Sequence, residues 1–282
     1  FLRKGSSVIF FFENFFARAV EAQPRPDGTA LPEGDRAVRD AGNPTPQMDT
    51  STTQQACIAA TSWQFPSSAH HSYRAYQNTM SKAAIFGNTL VSLPTGMGKT
   101  LIASVVLHNY LRFFPTGTVV FMAPTRPLVQ QQIGACCSSV GLSPETDAMM
   151  LTGEDLPETR AELWKKRRLI FCTPHILRND LASGLVDGRR IVLAIFDEAH
   201  HAASAADPYA EVARLLRESG AVFRTLALSA TAGVDLSAVQ RVVDLLHLSQ
   251  AEQHTHSVLL ARSSINTAAP LLGAAYTQRS PC

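Results

Sequence analysis

The chain has 282 residues and 30.5 kDa, with 45% hydrophobic and 17% charged residues and a formal net charge of +2 at pH 7. That composition excludes wholesale disorder, and the length fits about two domains or one large α/β domain with tails. The near-neutral charge neither demands nor excludes nucleic acid, because a neutral protein can still carry a basic groove.

In chain order, the first feature is the apolar run "VIFFFENFF" (8–16), behind Arg3 and Lys4. It has a faint signal-peptide outline, but Glu13 and Asn14 interrupt it and it is too short to cross a bilayer. An extraneous or poorly ordered leader is the expectation, with no membrane partner. Residues 21–50 carry Pro24, Pro26, Pro32, Pro44 and Pro46 and read as a linker, so residues 1–62 are assigned to leader and linker. From Trp63 short apolar runs alternate with helical patterns. The runs "NTLVSLP" (88–94), "TVVFMAP" (118–124), "AMMLTG" (148–153), "RLIFCTP" (168–174), "IVLAIFDEAH" (191–200) and "RTLALSAT" (224–231) read as strands. Their continuous apolarity is what a parallel sheet covered on both faces requires. Between them lie "TLIASVVLHNYLRFF", "RPLVQQQIGACCSSVG", "PETRAELWKKR", "HILRNDLASG", "YAEVARLLRESG" and "DLSAVQRVVDLL", with Gly141, Gly184 and Gly220 placed as C-terminal caps. The alternation predicts an α/β fold, an open, doubly wound, mostly parallel sheet with helices on both faces, over residues 63–250. Residues 251–282 lose the pattern and are left as a tail. Cys57, Cys136, Cys137, Cys172 and Cys282 form no C-x-x-C pair, which argues against a zinc site or a disulfide framework and fits a reducing compartment.

Ligands of such sheets bind beyond the carboxyl ends of the strands, and the unusual residues collect there. In "LVSLPTGMGKT" (90–100) an apolar strand breaks into Thr95, Gly96, Met97, Gly98, Lys99 and Thr100. Glycines let backbone N–H groups turn around an anion, and the following helix N-terminus adds its partial positive charge. Lys99 would reach the β- and γ-phosphates of ATP, and Thr100 would offer its hydroxyl to Mg²⁺. Leu93 stands where the full phosphate-loop template has its first glycine. At the end of another strand, "FDEAHH" sets Asp197 and Glu198 behind an apolar run. Paired carboxylates at a strand tip need a counter-charge, and Mg²⁺·ATP supplies one: Asp197 for the metal, Glu198 as general base for the attacking water. His200 and His201 are adjacent and are not read as metal ligands. Thr125, Arg126, Thr152, Gly153, Thr173 and Pro174 lie at strand ends, where hydroxyls, N–H groups and helix N-termini can grip a nucleic-acid backbone; plain N-capping by the threonines is the alternative. The basic run "WKKRR" (164–168) reads as a solvated helix end, with contact to DNA as the alternative.

Taken together, "PTGMGKT" (94–100), "APTRPLVQQQ" (123–132), "LTG" (151–153), "TPHIL" (173–177), "DEAH" (197–200) and "SAT" (229–231) resemble, in order, the motifs of a superfamily 2 DEAH-type helicase, and the chain is similar to the first RecA-like lobe of the Fanconi anaemia group M and Hef-like family. The resemblance implies an ATP- and Mg²⁺-dependent hydrolase that remodels branched or forked DNA during repair, in the nucleus, with repair-complex proteins as partners. It also implies that Gln77 reads adenine, and that His200, Ser229 and Thr231 couple the ATP site to a second lobe. Ala232 stands where this family usually has proline. No second phosphate-loop sheet follows residue 231, so a second RecA-like lobe is expected from a longer chain or a partner. Taken alone, this chain is expected to be weak or inactive. An RNA helicase or RNA-sensor lobe, or a binding module with little hydrolysis, are the alternatives.

Overall fold

A computed structural model describes Arg18 and residues 62–66, 74–202, 204–230 and 236–253. Among them the strands are β1 (Thr89–Ser92), β2 (Thr118–Met122), β3 (Ala148–Met150), β4 (Leu169–Cys172), β5 (Ile191–Phe196), β6 (Arg224–Ser229) and β7 (Gln250–Gln253). The helices are α1 (Ala75–Phe86), α2 (Lys99–Phe113), α3 (Arg126–Val140), α4 (Pro157–Lys166), α5 (Pro174–Ala182), α6 (Pro208–Glu218) and α7 (Leu236–Leu246). The strands form one sheet in the order β3-β4-β2-β5-β6-β1-β7, every neighbouring pair parallel.

Alternate residues of each strand enter opposite layers, as the pleat dictates. Val91, Val119, Phe121, Phe171, Ile195 and Leu228 pack with Ile85 of α1, Val106 and Tyr110 of α2 and Val129 and Cys136 of α3. Leu90, Val120, Met122, Ile170, Phe196 and Ala227 pack with Trp164 of α4, Leu177 of α5, Val212 and Leu216 of α6 and Val243 of α7. The first three helices therefore cover one face and the last four the other, which is the doubly wound arrangement the apolar runs predict. Burying one such Leu, Val, Ile or Phe side chain is worth about 1.5–3 kcal/mol. Phe121 and Phe171 of adjacent strands also stack, with ring centroids 5.2 Å apart.

Two elements depart from the sequence reading. Helix α1 precedes the glycine loop, where the pattern shows no element; its inward face is only Gln77, Met80, Ser81, Ala84 and Ile85, too mixed to stand out. Strand β7, "QAEQ", has no apolar run at all and continues past residue 250, where the pattern ends the domain. It joins the sheet through its main chain, pairing Thr89 with Gln250 and Ser92 with Gln253. The Gln250 carboxamide also donates to the Ala83 carbonyl and Thr89 hydroxyl, 2.7 Å each. The leader, the 21–50 linker, Thr231, Ala232 and the tail beyond Gln253 lie outside the described residues. No described helix is long and apolar enough to cross a membrane.

Candidate nucleotide site and nucleic-acid face

The glycine loop runs from the end of β1 into the first turn of α2. Gly96 and Gly98 have φ of 79° and 90°, a left-handed backbone that only glycine adopts without strain. A Cβ on Gly98 would also crowd Gln77 Nε2, displacing that amide from its place against Met97. Around Gly96 a Cβ would meet nothing within 4 Å, so torsion rather than space calls for glycine there. Met97 pins the loop: its side chain is buried in the core, its N–H donates to Pro94 O, and its carbonyl accepts from Tyr76 Oη at 2.8 Å and Gln77 Nε2 at 3.0 Å. Gln77 is thus buried against the loop, with the amide nitrogen that could meet a base edge engaged by Met97. Thr95 is exposed. Lys99 Nζ donates to Leu93 O at 3.0 Å, across the mouth of the loop. Leu93 N–H in turn donates to Ser229 O, which ties the loop's entry to the end of β6.

The acidic pair sits at the tip of β5. Asp197 is buried, 4% exposed; its Oδ1 accepts from Glu198 N–H at 3.0 Å and its carbonyl from Tyr209 Oη at 2.7 Å. Burial, and then the neighbouring Glu198 carboxylate, push its carboxyl up to about 6, against the pull of the Glu198 N–H, Lys99 and Gln132. Glu198 has φ of 48°, an uncommon conformation for a residue with a side chain, of the kind stored at functional turns. The Glu198 carboxylate lies 3.4 Å from His200 Nδ1. His200 stacks on His201 at 4.5 Å, and burial together with that neighbour holds it below the ordinary imidazole value.

Loop and acidic pair are joined by a residue the sequence reading did not single out. Gln132, two turns into α3, accepts from Thr100 Oγ1 at 3.1 Å and donates to Asp197 Oδ2 at 3.0 Å. Its signal was a polar residue beside the buried Val129 and Ile133 on one helix face, masked by two more glutamines, both exposed. Tyr76 and Tyr209 were missed likewise, since an aromatic hydroxyl aimed at a backbone carbonyl leaves no sequence pattern. Thr100, Asp197 and Glu198 offer the hard oxygen ligands that Mg²⁺ takes, and a buried carboxyl with a raised pKa beside a second carboxylate is a site short of positive charge. The donor set therefore fits Mg²⁺, and the glycine loop with Lys99 fits a phosphate chain.

The remaining candidates occupy the other half of the same sheet edge, beyond β2, β4 and β3. Thr125 and Thr173 stand at the N-caps of α3 and α5, and neither hydroxyl makes a capping hydrogen bond. Arg126 is exposed and pairs with Glu154 at 2.8 Å across the two loops. Thr152 closes its own turn, its N–H and hydroxyl both donating to Asp155 Oδ2, and Gly153 is exposed. Pro174 is buried in the first turn of α5, so it sets the helix start rather than a surface. The basic run is only partly a solvated helix end. Lys165 and Lys166 are exposed, but Arg168 is half-buried and donates to the carbonyls of Leu111, Phe114 and Gly117.

Comparison with known proteins settles the family. The DEAD/DEAH box helicase family matches residues 74–239. The chain belongs to the DEAD/DEAH box helicase family. An "ATP-dependent DNA helicase mph1" of Aspergillus oryzae is 41% identical over 224 residues, 79% of this chain and 20% of its own length. A "DEAD-box ATP-dependent RNA helicase FANCM" of Arabidopsis thaliana is 45% identical over 199 residues, 71% of this chain and 15% of its own. The crystal structure of the Pyrococcus furiosus Hef helicase domain superposes with a TM-score of 0.59 at 32% identity, over 64% of this chain and 38% of that one. This helicase segment thus spans a fifth or less of these curated relatives' length.

Proposed function

We propose that the chain is the ATP-binding first lobe of a DNA helicase or translocase that remodels branched DNA in repair. The observation that carries this is the convergence, at one sheet edge, of the glycine loop with Lys99 and the Asp197–Glu198 pair, joined through Gln132. In this reading Gly96, Gly98 and Lys99 hold the phosphates, and Thr100 and Asp197 hold Mg²⁺, which when bound offsets charge on the transferred phosphoryl group. Glu198 takes the proton of the attacking water. The free hydroxyl positions at the Thr125 and Thr173 N-caps, with Arg126, form a backbone-gripping row without base readout. Ser229, Thr231 and His200 would couple the site to a second RecA-like lobe, whose arginines complete hydrolysis. Relatives named as DNA helicases support the substrate; a nuclear location and repair-complex partners are part of the same proposal. The printed name of the Arabidopsis relative supports RNA as the second reading.

Glu198→Gln, made in a chain that includes the second lobe, tests the assignment. Hydrolysis is expected to fall at least 100-fold while ATP binding persists; retained hydrolysis would remove Glu198 from its role. Competition between forked DNA and structured RNA for stimulating that ATPase decides the nucleic acid, with the DNA reading lost if RNA alone stimulates.

A further inference from the structure

We infer that Gln132 is the positioning residue of the magnesium site, setting the spacing of the Thr100 hydroxyl and the Asp197 carboxylate through one carboxamide. The inference rests on the nucleotide-site reading above and adds a residue to it. Three elements bring the group together: Thr100 in the first turn of α2, Asp197 at the tip of β5 and Gln132 on α3, whose Val129, Ile133 and Cys136 are anchored in the core. Thr100 Oγ1 donates to Gln132 Oε1 at 3.1 Å, and Gln132 Nε2 donates to Asp197 Oδ2 at 3.0 Å.

The chemistry singles out an amide. Turning the Thr100 proton toward Gln132 leaves the oxygen's lone pairs for a cation, and coordination would make that hydroxyl a better donor. Asp197 takes one donor on each oxygen, from Glu198 N–H and from Gln132, so both are oriented while lone pairs remain. Of the uncharged side chains of this length, only glutamine donates to one ligand and accepts from the other. A glutamate would face Asp197 with a like charge, and an asparagine is one methylene short. Groups in this relation to a metal typically change its affinity 10- to 100-fold when removed.

The test uses the purified 282-residue chain and N-methylanthraniloyl-ATP fluorescence, titrated with Mg²⁺ and repeated in excess EDTA. Gln132→Met is expected to raise the half-saturating Mg²⁺ concentration about 10- to 100-fold while leaving metal-free nucleotide affinity within about twofold. A part played only in packing would instead weaken both together or neither. Gln132→Asn is measured beside it and decides if the methionine variant melts out of the folded range by circular dichroism. Half-saturation within about twofold of the parent in the folded variant overturns the assignment. Lys99→Ala separates the two readings. If it binds nucleotide as the parent does, the nucleotide-site reading fails and this one with it. If it loses binding while Gln132→Met keeps the parent's Mg²⁺ dependence, only the role of Gln132 fails.

Discussion

Asp197 shows how a single buried carboxylate can cost stability. An ordinary aspartate titrates near 3.8, whereas this one is pushed up to about 6, chiefly by burial and then by Glu198. Between those values the folded chain binds more protons than the unfolded one, so stability falls as pH rises through the window and the full cost is present above it. A shift of this size corresponds to about 3 kcal/mol at most. Asp197→Asn is therefore expected to be more stable than the parent by about 1–3 kcal/mol at pH 7.5 in metal-free buffer, with the gain shrinking toward zero at pH 4. Urea unfolding at the two pH values measures this, and an equal difference at both would refute it. In its proposed role as a magnesium ligand, Asp197 is expected to bind Mg²⁺ more weakly as pH drops below about 6, because a ligating carboxylate must be deprotonated; Mg²⁺ titrations at pH 5 and 7.5 check this. The sequence showed this residue readily, since a carboxylate at the end of an apolar strand is conspicuous. It could not show Gln132, whose importance comes from a neighbour on another helix rather than from its own surroundings in the chain.

At the scale of elements, the candidate nucleic-acid half of the edge depends on how α4 and α5 are tied. Asp180 of α5 is fully buried and accepts from Arg160 Nε and Nη2 at 3.0–3.1 Å and from Trp164 Nε1 at 2.8 Å. Arg160 also donates to Asp155 O, and Asp155 holds the turn of Thr152. One chain of contacts thus runs from a candidate backbone-gripping loop to the helix begun by Thr173. Arg160→Met leaves Asp180 buried beside a single donor, and breaking such a pair on one side costs about 3–5 kcal/mol. The expected result is a loss of that size in urea unfolding, together with weaker nucleic-acid binding and little change in nucleotide affinity. A change below about 1 kcal/mol would show the pair to be incidental. Helices α2 to α7 were legible from periodicity; Gly141 caps α3, while Gly184 and Gly220 stand one residue past the caps of α5 and α6, all three with φ of 72–76°. Their ion pairs were not, because Arg160 and Asp180 are 20 residues apart and pair only once the sheet sets α4 against α5.

The whole molecule was readable where burial leaves a signature. Six apolar runs became strands β1 to β6, since a strand covered on both faces must be apolar throughout. The seventh strand left none, because an edge strand can be polar and is recruited by main-chain pairing. Its position gives it consequence: β7 covers β1, the strand that carries the glycine loop, and without it β1 becomes the edge. Ending the chain after Ser249 removes that pairing, the two bonds of Gln250 and the buried Glu252; ending it after Gln253 keeps all three. The shorter form is expected to be less stable by about 2 kcal/mol, roughly 4–8 °C in Tm for a domain of this size. It should also bind nucleotide more weakly, because β1, the strand that leads into the loop, is then paired with β6 alone. Paired melting curves and nucleotide titrations of the two forms check both effects. Identical curves would place the functional boundary of the lobe at the end of α7 and leave β7 as an appendage.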